Sequence, residues 1–187
     1  LIKYTNLLGS YIVAIKINTN YIFNESVLNG LKKLSQHHNF VIIDDKKIRI
    51  QSMADLKKLN LFSWVDVVSL KLEFISDEID SWFKNIREKV NPNASFMIDL
   101  DEFDKSSLEI SKKLYSYYNN IVFGVIGLES TCPDMFTAID YKHVSKLNDN
   151  FKALQSSDLV ILGEELYNSK NPIEIITKIN SIVNQHA

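Results

Sequence analysis

Glycine is scarce in this chain, with five in 187 residues against a usual frequency of about 7%. Loops that cradle phosphate generally need glycine, because the backbone N–H groups must approach the anion closely. The shortage counts against nucleotide binding before any motif is read. Cysteine is nearly absent too. Cys132 is the only one, so no internal disulfide can form, and the usage points to a reducing, intracellular compartment, cytoplasmic or nuclear. No apolar run reaches the roughly 18 residues that would cross a bilayer, and the segment from Tyr11 to Ile17 is short and carries Lys16. No signal peptide is visible and the first residue is leucine, so the expectation is a single domain, residues 1–187, belonging to a longer protein. A charge excess is missing as well. The net charge of −2 and pI near 6.1 give no electrostatic footprint for nucleic acid.

What is present suits one globular domain with a full core: 45% hydrophobic and 24% charged residues, the lysines and acids interspersed as on solvated helix faces. Short aliphatic and β-branched runs alternate with amphipathic stretches at helical spacing. Strands are expected at Tyr11–Ile17, Phe40–Asp44, Val65–Leu72, Ser95–Leu100, Ile121–Ile126, Phe136–Ile139 and Leu159–Leu162. Helices are expected at Glu25–Ser35, Met53–Leu59, Asp77–Lys89, Lys105–Tyr118, Ser145–Gln155 and Pro172–Val183, with a helix-like piece at Leu1–Leu8. Asn24, Ser76 and Asn171 stand where helix N-caps are wanted. Strict alternation with fully apolar strands implies α/β architecture, a parallel sheet covered on both faces. Periodicity alone leaves a (β/α) barrel and an open doubly wound sheet both standing.

One stretch carries chemistry. Phe40-Val-Ile-Ile-Asp44-Asp-Lys46-Lys-Ile-Arg49 reads as a buried strand delivering an Asp-x-Lys pair to its carboxyl end, where a (β/α) barrel keeps its catalytic groups. It resembles the Asp-x-Lys-x-x-Asp signature of the orotidine-5′-phosphate decarboxylase family. Three further pieces fall in the family's order. The run Leu8 to Lys16 is similar to its second strand with an active-site lysine. Phe62-Ser-Trp64-Val-Asp66 is similar to its Trp-Ala-Asp stretch, and Ser157-Asp158 to Gly163, followed by Tyr167 and Asn171-Pro172, to its last strand and helix. The resemblance implies a TIM (β/α)8 barrel whose first strand lies outside this chain. It also implies a charged array in which Lys16, Asp44 and Lys46 hold three places and Arg49 holds the fourth, normally an acid donated by the other subunit of a dimer.

The departures from the family pattern sit at functional positions. With Arg49 in the fourth place the array goes from neutral to about +2, and unit charges near 4 Å interact at about 4 kcal/mol at a surface-like dielectric. The family's Gly-Arg-Gly phosphate turn becomes Gly163-Glu164-Glu165, its Thr-Pro-Gly turn becomes Asp140-Tyr141-Lys142, a pyrimidine-contacting serine falls near Asp101-Glu102, and a histidine falls at Lys71. Glu164, Glu165, Asp140 and Asp101 would repel a polyanionic nucleotide. The family is thought to draw on remote phosphate binding energy to distort the reacting end, so the retained lysines alone would accomplish little.

Each signal also has a plain structural reading. Asp44 and Lys46 are either a surviving catalytic dyad or an inherited buried ion pair that is costly to break, and Lys16 belongs to the same network in both. Asp45-Lys46-Lys47-Arg49 reads as an anion patch or a solvated strand end. His37-His38 lack further ligands at metal spacing. Cys132 has no identifiable basic partner. Trp64, Trp82 and the Tyr115-Ser-Tyr117-Tyr118 cluster are core or partner surface.

Taken together, the expectation is a catalytically inactive decarboxylase-like barrel kept as a protein-interaction or dimerisation scaffold. It would have no cofactor, no metal, no nucleotide substrate and no nucleic-acid or membrane partner. The alternative is an active (de)carboxylase or lyase of the same superfamily, acting through Lys16, Asp44 and Lys46 on a less anionic substrate.

Overall fold

The computed structural model describes residues 1–18, 24–48, 65–71, 83–84, 95–100, 105–127, 135–141, 154 and 156–183. The side chains of residues 46–48, 70–71 and 105–106 are outside that description. The order of elements is α1 (Ile2–Leu8), a 3-10 turn (Gly9–Tyr11), β1 (Ala14–Ile17), α2 (Glu25–His38), β2 (Val41–Ile48), β3 (Val67–Lys71) and β4 (Ser95–Asp99). There follow α3 (Lys105–Tyr118), β5 (Val122–Ile126), β6 (Phe136–Asp140), β7 (Leu159–Ile161), α4 (Glu164–Tyr167) and α5 (Pro172–Val183). The seven strands pair in sequence order, every pair parallel. The result is a nearly closed barrel, open between β1 and β7.

Two apolar layers follow from strand alternation. Ala14, Ile43, Val67, Met97, Phe123, Ile126, Ala138, Leu159 and Ile161 come together from all seven strands to fill the barrel interior. The alternate residues, among them Ile17, Ile42, Val68, Phe96, Ile98, Val122 and Val125, pack outward against Leu31 of α2 and Leu108 and Leu114 of α3. Val122 and Val125 share the outer layer although three residues separate them. The β4–β5 register shifts between Phe96 and Met97, a β-bulge that brings Phe123 and Ile126 both inward. Gly124 sits in that bulge, and a Cβ there would collide with the carbonyl oxygen of Phe136.

Local chemistry explains where elements start and stop. Asn24 caps α2, its Oδ1 accepting the Ser26 N–H at 2.9 Å, and Asn39 ends that helix in the left-handed conformation with φ of 58°, as asparagine tolerates. The helix therefore runs three residues past the expected Ser35. The expected first strand is shortened, because Gly9–Tyr11 forms a 3-10 turn. Gly9 is needed in that turn, where a Cβ would meet the His38 ring at 2.5 Å. The ranges expected for Lys105–Tyr118 and Pro172–Val183 coincide with α3 and α5. The short helix α4 was not anticipated. The helices expected at Met53–Leu59, Asp77–Lys89 and Ser145–Gln155, and the cap at Ser76, lie outside the described residues apart from the helical pair Phe83–Lys84 and the helical Leu154.

The N-terminal ends of two strands are pinned in the same way. The Asp66 N–H donates to the Ile42 carbonyl at 3.0 Å, while the Ile42 N–H donates to Asp66 Oδ2 at 2.8 Å. Asp158 repeats the device on Thr137: its N–H donates to the Thr137 carbonyl at 2.9 Å. Its Oδ2 accepts from the Thr137 N–H at 2.8 Å and Oγ1 at 3.1 Å. Each aspartate thus satisfies a backbone donor at the start of a neighbouring strand and fixes the register there.

Candidate active site

Carboxylates and one lysine collect at the C-terminal end of the strands, on the inner face. Lys16 alternates with the outward Ile15 and Ile17 and so projects inward from β1. Its Nζ lies 2.9 Å from Asp45 Oδ1 and 4.0 Å from Asp99 Oδ2. Asp99 shares the inner face of β4 with Met97 and is buried, with 7% exposure. Asp140 ends β6 on the same face as the inward Ala138, and it lines the cleft between β1 and β7 together with Lys16 and Asp45. Among the described side chains, one cation stands among three acids.

This arrangement corrects the expected array. Asp44 is fully buried and pairs across the sheet with Ile17 on one side and Val68 on the other, both members of the outer layer. Asp44 therefore belongs to the helix-covered face, and the Lys16 partner is Asp45. The physical reason is the period of two: a shift of one residue moves every side chain to the opposite face. Beyond Asp44 the β2–β3 register shifts again, so that Ile48 rather than residue 46 stands opposite Leu70. Lys46 and Lys47 lie within β2, their side chains outside the described set, and Arg49 and Asp101 fall outside the described residues altogether. In the sequence, Asp45-x-Lys47 has the same Asp-x-Lys spacing as Asp44-x-Lys46.

Asp99 carries no mark in the sequence, and Asp45, expected in an anion patch or solvated strand end, proves to be the partner of Lys16. A parallel strand apolar on both faces carries no alternation to mark which of two adjacent aspartates points inward. The cross-strand registers with Ile17 and Val68 supply that mark. Lys71 closes β3, its side chain undescribed.

At the end of β7 the Gly163 N–H donates to Glu165 Oε2 at 3.1 Å. The loop amide is thus already satisfied by a carboxylate of its own chain. Glu164 is exposed, Glu165 half-buried, and Leu166 buries the helix they begin. His37 and His38 stack edge to face at 4.6 Å, and His38 Nδ1 lies 3.3 Å from Ser10 Oγ, so the pair packs α2 onto the 3-10 turn. No group of three or more His, Cys, Asp and Glu poised for a metal occurs among the described residues. Nor is any described helix long and apolar enough to cross a membrane.

No protein-family model matches the sequence, and no curated protein matches it. Solved structures do. Orotidine 5′-phosphate decarboxylase from Pyrococcus horikoshii OT3 superposes with a TM-score of 0.67 at 19% identity, over 97% of this chain and 92% of that one. The Methanocaldococcus jannaschii orotidine 5′-monophosphate decarboxylase, complexed with the inhibitor BMP, gives 0.71 at 15% identity over 98% and 92%. The 3-hexulose-6-phosphate synthase of Salmonella typhimurium gives 0.68 at 13% identity over 100% and 93%. The fold is the orotidine 5′-phosphate decarboxylase barrel. It is the fold, and not the activity, that likeness at these identities establishes, and these three neighbours carry two different activities on one frame.

Proposed function

We propose that this barrel does not decarboxylate orotidine 5′-phosphate and serves as a protein-interaction or self-association domain. The observation that carries the reading is the Glu165 carboxylate accepting the Gly163 N–H at 3.1 Å. In the resembling enzymes the turn after the last strand grips a phosphate. Here an acid of the chain itself occupies the amide that a phosphate oxygen would need, with Glu164 beside it and Asp140 ending the neighbouring strand. A dianion arriving there meets like charge and no free donor at Gly163. At the reacting end, counting the Asp-x-Lys spacing from Asp45 instead of Asp44 gives the fourth place to uncharged Ile50 in place of Arg49, and on either count the second acid of the array is lost. Without the chemistry, a rigid barrel remains whose exposed aromatics Tyr11, Tyr117 and Tyr167 suit a partner or a second copy.

The test is an assay of carbon dioxide release from orotidine 5′-phosphate, paired with calorimetric titration of uridine 5′-monophosphate and light scattering of the purified chain. The expected result is no turnover and no heat at millimolar nucleotide, with a particle heavier than a monomer at tens of micromolar. Turnover or micromolar nucleotide binding would overturn the proposal.

A second reading is favoured by one observation: Lys16 is held between Asp45 and Asp99 in a half-closed site, an arrangement suited to proton transfer. On this reading the chain is a lyase or decarboxylase of the same superfamily acting on a substrate without a phosphate. Screening unphosphorylated β-keto and 2-hydroxy acids for turnover abolished by Lys16→Met separates the two.

A further inference from the structure

The N-terminal end of the barrel encloses a space that its own side chains leave unfilled. A (β/α) barrel normally packs its interior with layers of bulky, branched side chains. Here the first inward positions of β1 and β4 are Ala14 and Ser95, too short to meet across the bore. Toward β5 and β6 the bulge turns Phe123 inward, and its ring lies 5.5 Å from that of Phe136 at an interplanar angle of 48°. Between these residues lies a cavity of about 980 Å³, with the fully buried Met97 at its inner end. Sites for small molecules are commonly about 300–1,000 Å³ and mostly apolar. Lys16, Asp45 and Asp140 do not line this cavity, so it is separate from the cluster at the other end of the strands.

The mouth of the cavity combines apolar surface with an uneven charge. Val13, Val41 and Phe136 line it and remain exposed, at 65%, 39% and 37%. Among the described lining side chains there are two acids, Asp66 and Asp158, and one cation, Lys32. Lys32 belongs to α2, the helix that leads into β2, and Asp66 is bonded to Ile42 of β2. These two opposite charges share one side of the mouth. Asp158 stands on the other side, where it opens β7 and is bonded to Thr137 of β6. Its Oδ2 takes both Thr137 bonds, and its Oδ1 takes part in neither. An apolar bore with an acid at its rim suits a molecule with an apolar body and one positive group. The body leaves water for the bore, and the cation makes a charge-assisted hydrogen bond at the rim. An anion of the same shape would meet like charge there.

We propose that the N-terminal mouth of the barrel binds a small apolar amine, its body against Phe123, Phe136 and Met97 and its ammonium group on Asp158 Oδ1. Asp158 then has two tasks, one for each oxygen: Oδ2 holds the register of β6 and Oδ1 receives the ligand. Asp66, with Lys32 on its side of the mouth, contributes less. The site is independent of whether the opposite end of the barrel is chemically active.

The test titrates naphthylmethylamine, naphthylmethanol and naphthylacetate, one apolar body with a positive, a neutral and a negative group, into the chain while methyl resonances are followed. The expected result is a saturating shift of the Met97 methyl at sub-millimolar amine, with Ile161, which lines only the other cleft, unmoved. The alcohol and the carboxylate should bind at least about tenfold more weakly, as the loss of a hydrogen bond to a charged group implies. Asp158→Asn keeps an oxygen for the Thr137 donors and removes the charge, so it should weaken the amine by a similar factor and leave the alcohol unchanged. Asp66→Asn should have the smaller effect. Ser95→Leu, which fills the bore, should abolish binding of all three. No saturating shift at Met97, a shift at Ile161 in its place, alcohol binding as tight as the amine, or Asp158→Asn without effect would each overturn the proposal. If Ser95→Leu fails to fold, the wild-type chain still decides: nuclear Overhauser contacts from the naphthyl ring to Phe123 and Phe136 are required, and their absence at saturation is equally fatal.

Discussion

Aspartates do opposite work at the two ends of this barrel. At the N-terminal ends of the strands, Asp66 and Asp158 each take a backbone N–H at 2.8 Å, and their carboxylates are spent on holding neighbouring strands in register. At the C-terminal ends, Asp45 and Asp99 face Lys16, and Asp140 lines the same cleft as Lys16 and Asp45. The same residue type locks strand register where it accepts backbone N–H groups and pairs with a lysine at the opposite end. The contrast recurs within one strand, since Asp44 lies in the outer layer and Asp45 on the inner face.

Substitutions can break or sharpen that contrast. The largest effect is expected at Gly124, where alanine would force Cβ into the Phe136 carbonyl and cost about 3 kcal/mol or more, read as a lowered denaturation midpoint. A near-neutral result would mean the bulge is not as described. Asp44→Asn is expected to cost about 2–3 kcal/mol, because it disturbs a fully buried polar side chain that is not without a partner. A loss below about 0.5 kcal/mol would remove Asp44 from the structural class. Asp158→Ala gives up two accepted bonds and should cost about 2 kcal/mol, and Asp66→Ala, with one, about 1 kcal/mol. The order of the two is the sharper check. Asp45→Asn should change stability by less than about 1 kcal/mol, as expected for a partly exposed pair, yet raise the acylation rate of Lys16 several-fold by removing its nearest carboxylate. If instead Asp45→Asn destabilises as much as Asp158→Ala, the division between the ends fails.

The fold was legible because its signals are local and repeated: aliphatic strand runs, amphipathic helices such as Lys105–Tyr118, and caps such as Asn24. The site was legible only in part. Phe40-Val-Ile-Ile is apolar throughout because both faces of β2 are buried, so Asp44 and Asp45 could not be told apart without the registers to Ile17 and Val68. The bulge beyond Asp44 depends on pairing with β3, which no window along β2 encodes. Asp99 looks like any strand-end acid until β4 is set beside Lys16. Asp66 and Asp158 were read as marks of resemblance, and their backbone partners 24 and 21 residues away give them a role that sequence spacing does not display.

The central claim is that Glu165 holds the Gly163 amide against any incoming phosphate. It is tested most directly by following the Gly163 N–H resonance while uridine 5′-monophosphate is titrated into the wild-type chain and into Glu165→Gln. The account requires a resonance that stays fixed in the wild type to millimolar nucleotide and moves on the side-chain substitution itself, as the carboxylate bond is replaced. A saturating shift of the wild-type Gly163 amide at micromolar nucleotide would contradict it.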